Sequence, residues 1–327
     1  MTWTRTPLAS RKWLRVQMAS KEGFPSYFPQ ELLNNYFQFV DSRPDVIVLQ
    51  NLDEPALQAE ANLSSSHRYV AGRVPTMAFH AIDRWDAEGA WAESARRLAS
   101  SATIVFGHNL PLRQPSTAIF VPLLCRSLVE ETDDRTFPGS EARYELSFVG
   151  GYVPQQVEHV DWPEEVRTHR ARGVALARLS SALRERRLFV ARTDFWTAAE
   201  RGDQQELARI RGLYRRILIE SAAVFSPPGA GYNCHRHAEA LAYRRLLLTC
   251  PLHERILLPE PELWSEEALG VQYAWDGSDL EERALWMLDN LDSFGERVDE
   301  GFGYYLRWVP IEAQLAFVHE RLTALMS

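Results

Sequence analysis

The stretch of this chain richest in chemistry runs from Ala222 to Leu248, AAVFSPPGAGYNCHRHAEALAYRRLLL. An apolar run, Ala222–Ser226, leads into Pro227-Pro228-Gly229 and Gly231. A segment of helical period near Arg236–Tyr243 and a second apolar run, Arg245–Thr249, follow. Strand, glycine turn, helix, strand is an order that carries the backbone to the carboxyl edge of a sheet and aims the N–H groups of a helix start at whatever lies there. Gly229 and Gly231 allow a ligand close to the backbone, and Tyr232 and Asn233 complete the loop. Such helix starts attract phosphate. Arg236 adds a guanidinium that can grip two phosphate oxygens at once, and Glu239, one turn later on the same face, offers a carboxylate to ribose hydroxyls. These residue types at this spacing describe a nucleotide-diphosphate site.

Other clusters carry less. Gly150-Gly151 closes the apolar run YELSFV and reads on its own as a turn after a strand. Cys234-His235-Arg236-His237 places three metal-ligating side chains within four residues, but neighbours at a helix start point apart and the sequence offers no clear second ligand pair, so no metal is expected. Arg167, Arg170, Arg172 and Arg178 read as a solvated basic helix face. The chain has no GxSxG elbow, no P-loop, no HExxH and no amino-terminal GxGxxG, which removes the commonest hydrolase, NTPase, metalloprotease and nicotinamide readings.

The elements that must position these residues follow from length and pattern. At 327 residues, with 46% hydrophobic and 24% charged residues, the chain is long enough for two globular domains. Apolar runs at Trp13–Met18, Asp45–Leu49, Val74–Phe79, Thr103–Phe106 and Ala118–Pro122 predict strands, with helices over Pro29–Val40 and Ala87–Ser100. After a polar linker, VEETDDRTFPGSEARYE, strands are expected at Glu145–Val149, Arg187–Val190, Ala222–Ser226 and Arg245–Thr249. Helices are expected at Pro163–Arg186, Gln204–Ser221, Arg236–Tyr243, Asp279–Leu291 and Ile311–Met326, the last two separated by the aromatic stretch GFGYYLRW. The fold class is α/β: two Rossmann-like domains, residues 1–135 and 141–310, facing a cleft, with a C-terminal helix at 311–327.

Charge and cysteine usage narrow the partners. The net charge of −8 is uneven: residues 1–140 are near neutral at −1, residues 141–250 carry +4, and residues 251–327 carry −11. A pI of about 5.7 argues against nucleic acid as a partner, while the basic middle block suits a small phosphorylated molecule. Three widely spaced cysteines without a CxxC pair argue for a reducing compartment. No apolar run is long enough for a spanning helix, and a cytoplasmic protein is expected, with room for peripheral membrane contact.

The stretch SPPGAGYNCHRHAEALA resembles the donor-site signature of GT-B glycosyltransferases, above all the exostosin-like branch, in which a Pro-Gly loop leads to Arg, then Glu-Ala-Leu, then a strand. The close resemblance covers about 27 residues, and SFVGG is similar to the first strand and loop of the donor half. The resemblance implies that Arg236 meets the donor phosphates and Glu239 the ribose, with Gly150, Gly151, Gly229, Gly231, Tyr232 and Asn233 lining the donor site. It also implies a final helix that crosses back to the first domain. Where the family has Gly after Glu-Ala-Leu, this chain has Tyr243-Arg244-Arg245, and Gly231 stands where retaining members carry a first acidic residue. The implied activity is an inverting, metal-independent transfer of a sugar from a nucleotide-diphosphate donor to an acceptor hydroxyl, with no further cofactor. The base that such a transfer needs is expected on first-domain loops at strand ends: Asp83, then His80, in TMAFHAIDRW, with His108 and Asn109 of FGHN nearby. The alternatives are a GT-B-shaped binding protein without activity and a GDP-sugar enzyme of fucosyltransferase type.

Overall fold

Parallel pairing organises both halves of the chain. The computed structural model describes residues 14–18, 28–40, 43–49, 76–80, 102–112, 118–124, 136–152, 164–229 and 231–326. The chain divides into two units, Met1–Leu123 together with Pro310–Ser327, and Leu124–Val309. In the first unit, β1 (Leu14–Met18), β2 (Phe37–Phe39), β3 (Val46–Leu49), β4 (Thr76–His80), β5 (Ile104–Gly107) and β6 (Ile119–Pro122) form one sheet in the order β2-β1-β3-β4-β5-β6. Every neighbouring pair is parallel. The fully buried residues of β3 and β5 read as continuous apolar runs, as strands covered on both faces do.

Helix α1 (Gln30–Leu33) is far shorter than the helix expected over Pro29–Val40. The spacing of Leu33, Tyr36 and Phe37 satisfies a helical stripe, yet Phe37–Phe39 is strand β2, paired with Leu14–Val16. That non-local ladder overrides the local periodicity. The expected helix Ala87–Ser100 lies outside the described residues.

The second unit holds β7 (Tyr144–Gly150), α2 (Glu164–Ala182), β8 (Leu188–Arg192), α3 (Phe195–Glu200), α4 (Gln204–Glu220), β9 (Ser221–Ser226), α5 (His235–Ala242) and β10 (Leu246–Thr249). It continues with α6 (Pro261–Ser265), β11 (Val271–Gln272), α7 (Leu280–Asp289) and α8 (Gly295–Trp308). Its sheet runs β11-β10-β9-β7-β8, again parallel throughout. Alternate strand residues serve two cores, because successive side chains leave opposite faces. Leu146, Phe148, Phe225 and Leu248 pack with Leu176 and Leu179 of α2 and Ala284 and Met287 of α7. Val149, Val224 and Leu247 pack with Ile217 of α4, Leu241 of α5 and Tyr304 of α8. The stretch GFGYYLRW is the body of α8 and not a separator: Gly301 brings this helix onto Leu241, where a Cβ would lie 2.8 Å from Leu241 Cδ2.

The strand order matters for function. From β7 the chain crosses through α2 to β8 on one side, and from β9 it crosses through α5 to β10 on the other. The winding reverses between β7 and β9. In open parallel sheets the crevice outside the carboxyl ends at such a reversal is where ligands bind.

Helix α9 (Ile311–Leu325) closes the chain and belongs to the first unit, where His319 lies 5.6 Å from the Tyr36 ring and 5.9 Å from that of Phe37. No helix among the described residues is long and apolar enough to cross a membrane.

Candidate nucleotide-diphosphate site

The loops after β7 and β9 meet at the reversal, and arginines hold them there. Strand β9 is buried along its whole length and delivers the chain to Pro227. The loop then doubles on itself, the Gly229 N–H donating to the Gly231 carbonyl at 2.8 Å. Cys234, in extended conformation, caps α5. A chain of hydrogen bonds fixes this helix start: the Cys234 N–H donates to His237 Nδ1 at 3.1 Å, which leaves the proton of the ring on Nε2. Nε2 in turn donates to Thr249 Oγ1 at 2.8 Å, and that hydroxyl donates to the Ser226 carbonyl at 3.1 Å. His237 is buried with both nitrogens engaged, so its work is to cap the helix. Among the described residues no group of three or more His, Cys, Asp or Glu is placed to hold a metal ion.

This start aims Arg236 back across the crevice. Its Cζ lies 5.1 Å from the Phe148 ring centroid, and a Cβ on Gly150 would stand 2.8 Å from its Nη1. The guanidinium therefore occupies the space that only glycine leaves free at the end of β7. Its one hydrogen bond among the described residues is a long one, Nη2 to the Pro227 carbonyl at 3.4 Å, and its buried Nε has no partner. No carboxylate among the described residues forms an ion pair with it. Burial by itself favours loss of the proton, but the negative groups around it, Cys234 first and Glu239 with it, outweigh it and hold the group charged. The result is a cation at a helix start, which is what an anion needs.

The neighbours of Arg236 respond to it. Burial raises the Cys234 thiol, while the charge of Arg236 lowers it, and the net position is well below the ordinary thiol range. Glu239 is buried in the α5 interior. Tyr214 of α4 is also buried, and burial followed by the charge of Glu239 keeps its proton on well above the usual phenol range. Tyr214 carries no local signal in the sequence that separates it from a core tyrosine.

Arg172 corrects the reading of its helix as a solvated basic face. It is buried, its Nε donates to the Pro228 carbonyl at 2.9 Å and its Nη1 to the Gly151 carbonyl at 2.8 Å. A Cβ on Gly229 would lie 2.0 Å from its Nη2. Gly150, Gly151 and Gly229 thus meet two arginines in one place. Arg178, by contrast, pairs with Glu281 toward the surface, and Arg170 is exposed.

The remaining expected residues fall as follows. Asn233 is buried in the loop, and Tyr232 packs edge-on against Trp275 at 5.4 Å, a packing contact. In the first unit, His80 ends β4 in register with Gly107 of β5, so it shares the carboxyl edge with His108 and Asn109. Asn109 is buried in the left-handed region at φ 58°. Asp83 lies outside the described residues. The departure at Tyr243-Arg244-Arg245 has a local explanation: Arg244 itself takes the left-handed conformation at φ 54° where glycine is usual after a helix end. Its guanidinium lies 4.2 Å from the Phe302 ring centroid and pairs with Asp299 at 2.8 Å. Arg245, 2% exposed, donates to the Leu218, Ile219 and Arg244 carbonyls and so holds the carboxyl end of α4.

No protein-family model matches this chain, and no curated relative does. Solved structures resemble it in fold. An alpha-glucosyltransferase in complex with UDP and a 13-mer DNA is 8% identical, with 96% of this chain and 100% of that chain covered and a TM-score of 0.49. A protein from Listeria monocytogenes assigned as a UDP-N-acetylglucosamine 2-epimerase is 11% identical, with 96% of each chain covered and a TM-score of 0.45. The GtfA/B complex matches at 9% identity and a TM-score of 0.49 over 87% of this chain, which spans only 58% of the length of that one. Likeness at this level says nothing about which residues act.

Proposed function

We propose that the chain is a glycosyltransferase of GT-B type that takes its sugar from a nucleotide-diphosphate donor held by the second unit. The observation that carries this reading is Arg236: a charged guanidinium with no carboxylate partner among the described residues and a buried, unpartnered Nε, at the reversal point of a parallel sheet. A diphosphate supplies the acceptors this group lacks. The exostosin-like resemblance of SPPGAGYNCHRHAEALA supports the same assignment and adds Glu239 as the ribose contact. Glu239 also suits a second task, because its buried charge helps hold Arg236 protonated.

In the reaction proposed, an acceptor hydroxyl attacks the anomeric carbon of the donor as the bond from that carbon to the diphosphate oxygen breaks. Arg236 and the start of α5 take up the charge that develops on the leaving diphosphate. A base on the first unit removes the hydroxyl proton, Asp83 by preference and His80 otherwise, and the anomeric configuration inverts. No metal is assigned a part. The departure at Tyr243-Arg244-Arg245, which would favour a binding protein without activity, leaves the loop geometry intact because Arg244 adopts the glycine conformation.

The test is incubation with UDP-, GDP-, dTDP- and CMP-linked sugars and measurement of released nucleotide. Slow hydrolysis of one diphosphate donor is expected, with Asp83→Asn lowering turnover on the order of a hundredfold at unchanged donor affinity. A GDP preference would indicate the fucosyltransferase-type alternative. Release of no nucleotide from any donor, together with no binding of the diphosphates themselves, contradicts the proposal.

A further inference from the structure

We infer that Arg172 is a positioning residue that clamps the loops after β7 and β9 into a single phosphate cradle. This rests on the donor-site reading of Arg236. The guanidinium of Arg172 enters from α2, is 7% exposed, and takes one carbonyl from each loop, Gly151 at 2.8 Å and Pro228 at 2.9 Å. A planar fork of fixed spread sets the distance between those two carbonyls, which a lysine ammonium cannot do. The third nitrogen rests on Gly229, where a Cβ would stand 2.0 Å away, so the loop after β9 closes down on the arginine as well. The carbonyls it holds belong to the residues that flank the Arg236 guanidinium: Gly151 follows Gly150, whose α-carbon Arg236 passes, and Pro228 follows Pro227, whose carbonyl Arg236 meets at 3.4 Å. Arg172 holds the walls and Arg236 stands between them. One guanidinium bonded to both loops couples them, so that loosening one is expected to loosen the other.

The experiment compares Arg172→Ala and Arg172→Lys with Leu179→Ala, a buried apolar truncation in the same helix that serves as a stability control. Hydrogen exchange on the unliganded protein reads the clamp directly. Arg172→Ala is expected to raise exchange in peptides covering 150–152 and 226–234 together, by about tenfold or more, while Leu179→Ala at matched loss of melting temperature does not. Calorimetric titration with UDP and GDP reads the consequence: affinity falls about ten- to a hundredfold in Arg172→Ala and Arg172→Lys. Added guanidinium at millimolar concentration restores binding in Arg172→Ala alone. Loosening of only one loop, equal loosening in Leu179→Ala, or unchanged affinity in Arg172→Ala overturns the inference. A wild-type protein that binds neither UDP nor GDP overturns the donor-site reading instead, and the exchange measurement still judges the clamp.

Discussion

Replacing Gly150 with alanine is the substitution that most sharply separates a phosphate-binding Arg236 from a merely structural one. The added methyl would lie 2.8 Å from Arg236 Nη1 and 3.3 Å from Phe148 Cζ, both inside ordinary contact distance. The guanidinium is the far end of a flexible side chain with one long hydrogen bond, so it is the group that yields, and the backbone has no positive φ at this position to resist the change. Folding stability therefore changes little: loss of the Phe148 contact costs about 0.5–1 kcal/mol, and the reduced freedom of the unfolded chain returns about as much. Binding changes more, because a displaced guanidinium forfeits charge-assisted hydrogen bonds to phosphate of about 1.5–3 kcal/mol, which corresponds to a loss of about ten- to a hundredfold in affinity. Calorimetric titration of nucleoside diphosphate into wild type, Gly150→Ala, Arg236→Ala and the double variant forms a thermodynamic cycle. The two effects should be strongly non-additive, with Gly150→Ala nearly silent once Arg236 is gone. Additive losses, or an unchanged affinity in Gly150→Ala, would refute the placement of Arg236 against the diphosphate.

Other consequences can be checked in the same protein. The lowered Cys234 thiol should alkylate with a pH midpoint below the value of about 8.5 for a free thiol, and Arg236→Ala should move that midpoint upward, as followed by peptide mass spectrometry. Cys250, raised to about 12 by burial, should stay unlabelled through the same range, and its labelling would count against the local structure. Arg245→Ala strips three carbonyls of their donor and should lower unfolding free energy in urea by about 3 kcal/mol without a specific effect on nucleotide affinity. Arg244→Gly relieves a left-handed arginine by about 1 kcal/mol and loses the Phe302 and Asp299 contacts of similar size, so its stability should stay within about 1 kcal/mol of wild type. A loss well beyond that would mean that Arg244 holds the helix end by more than its own contacts.

What the sequence discloses about this protein depends on how local the cause is. The apolar runs of β3, β5, β7, β9 and β10 announce their strands because each is buried in a parallel sheet and needs no alternation to be recognised. The β9 loop and α5 are equally legible, since the turn, the cap and Arg236 follow one another within about fifteen residues. Strand β2 is hidden because its partner is more than twenty residues away and its own letters also fit a helix. Arg172 is hidden for the same kind of reason: its fifty-six-residue separation from Pro228 leaves no local trace, and an arginine among arginines on a helix reads as surface. The two glycines of GFGYYLRW suggest a break, yet Gly301 serves the close approach of α8 to α5. Arg244 marks the limit of matching by letter, since the backbone conformation survives where the usual glycine does not.

The most direct test of the account is a crystal structure with a nucleoside diphosphate bound. The diphosphate oxygens should lie within hydrogen-bond distance of the Arg236 guanidinium, outside the carboxyl ends of β7 and β9 and above Gly150, with Arg172 still bridging Gly151 and Pro228. A diphosphate seated elsewhere on the chain, with Arg236 left as it stands, would contradict it.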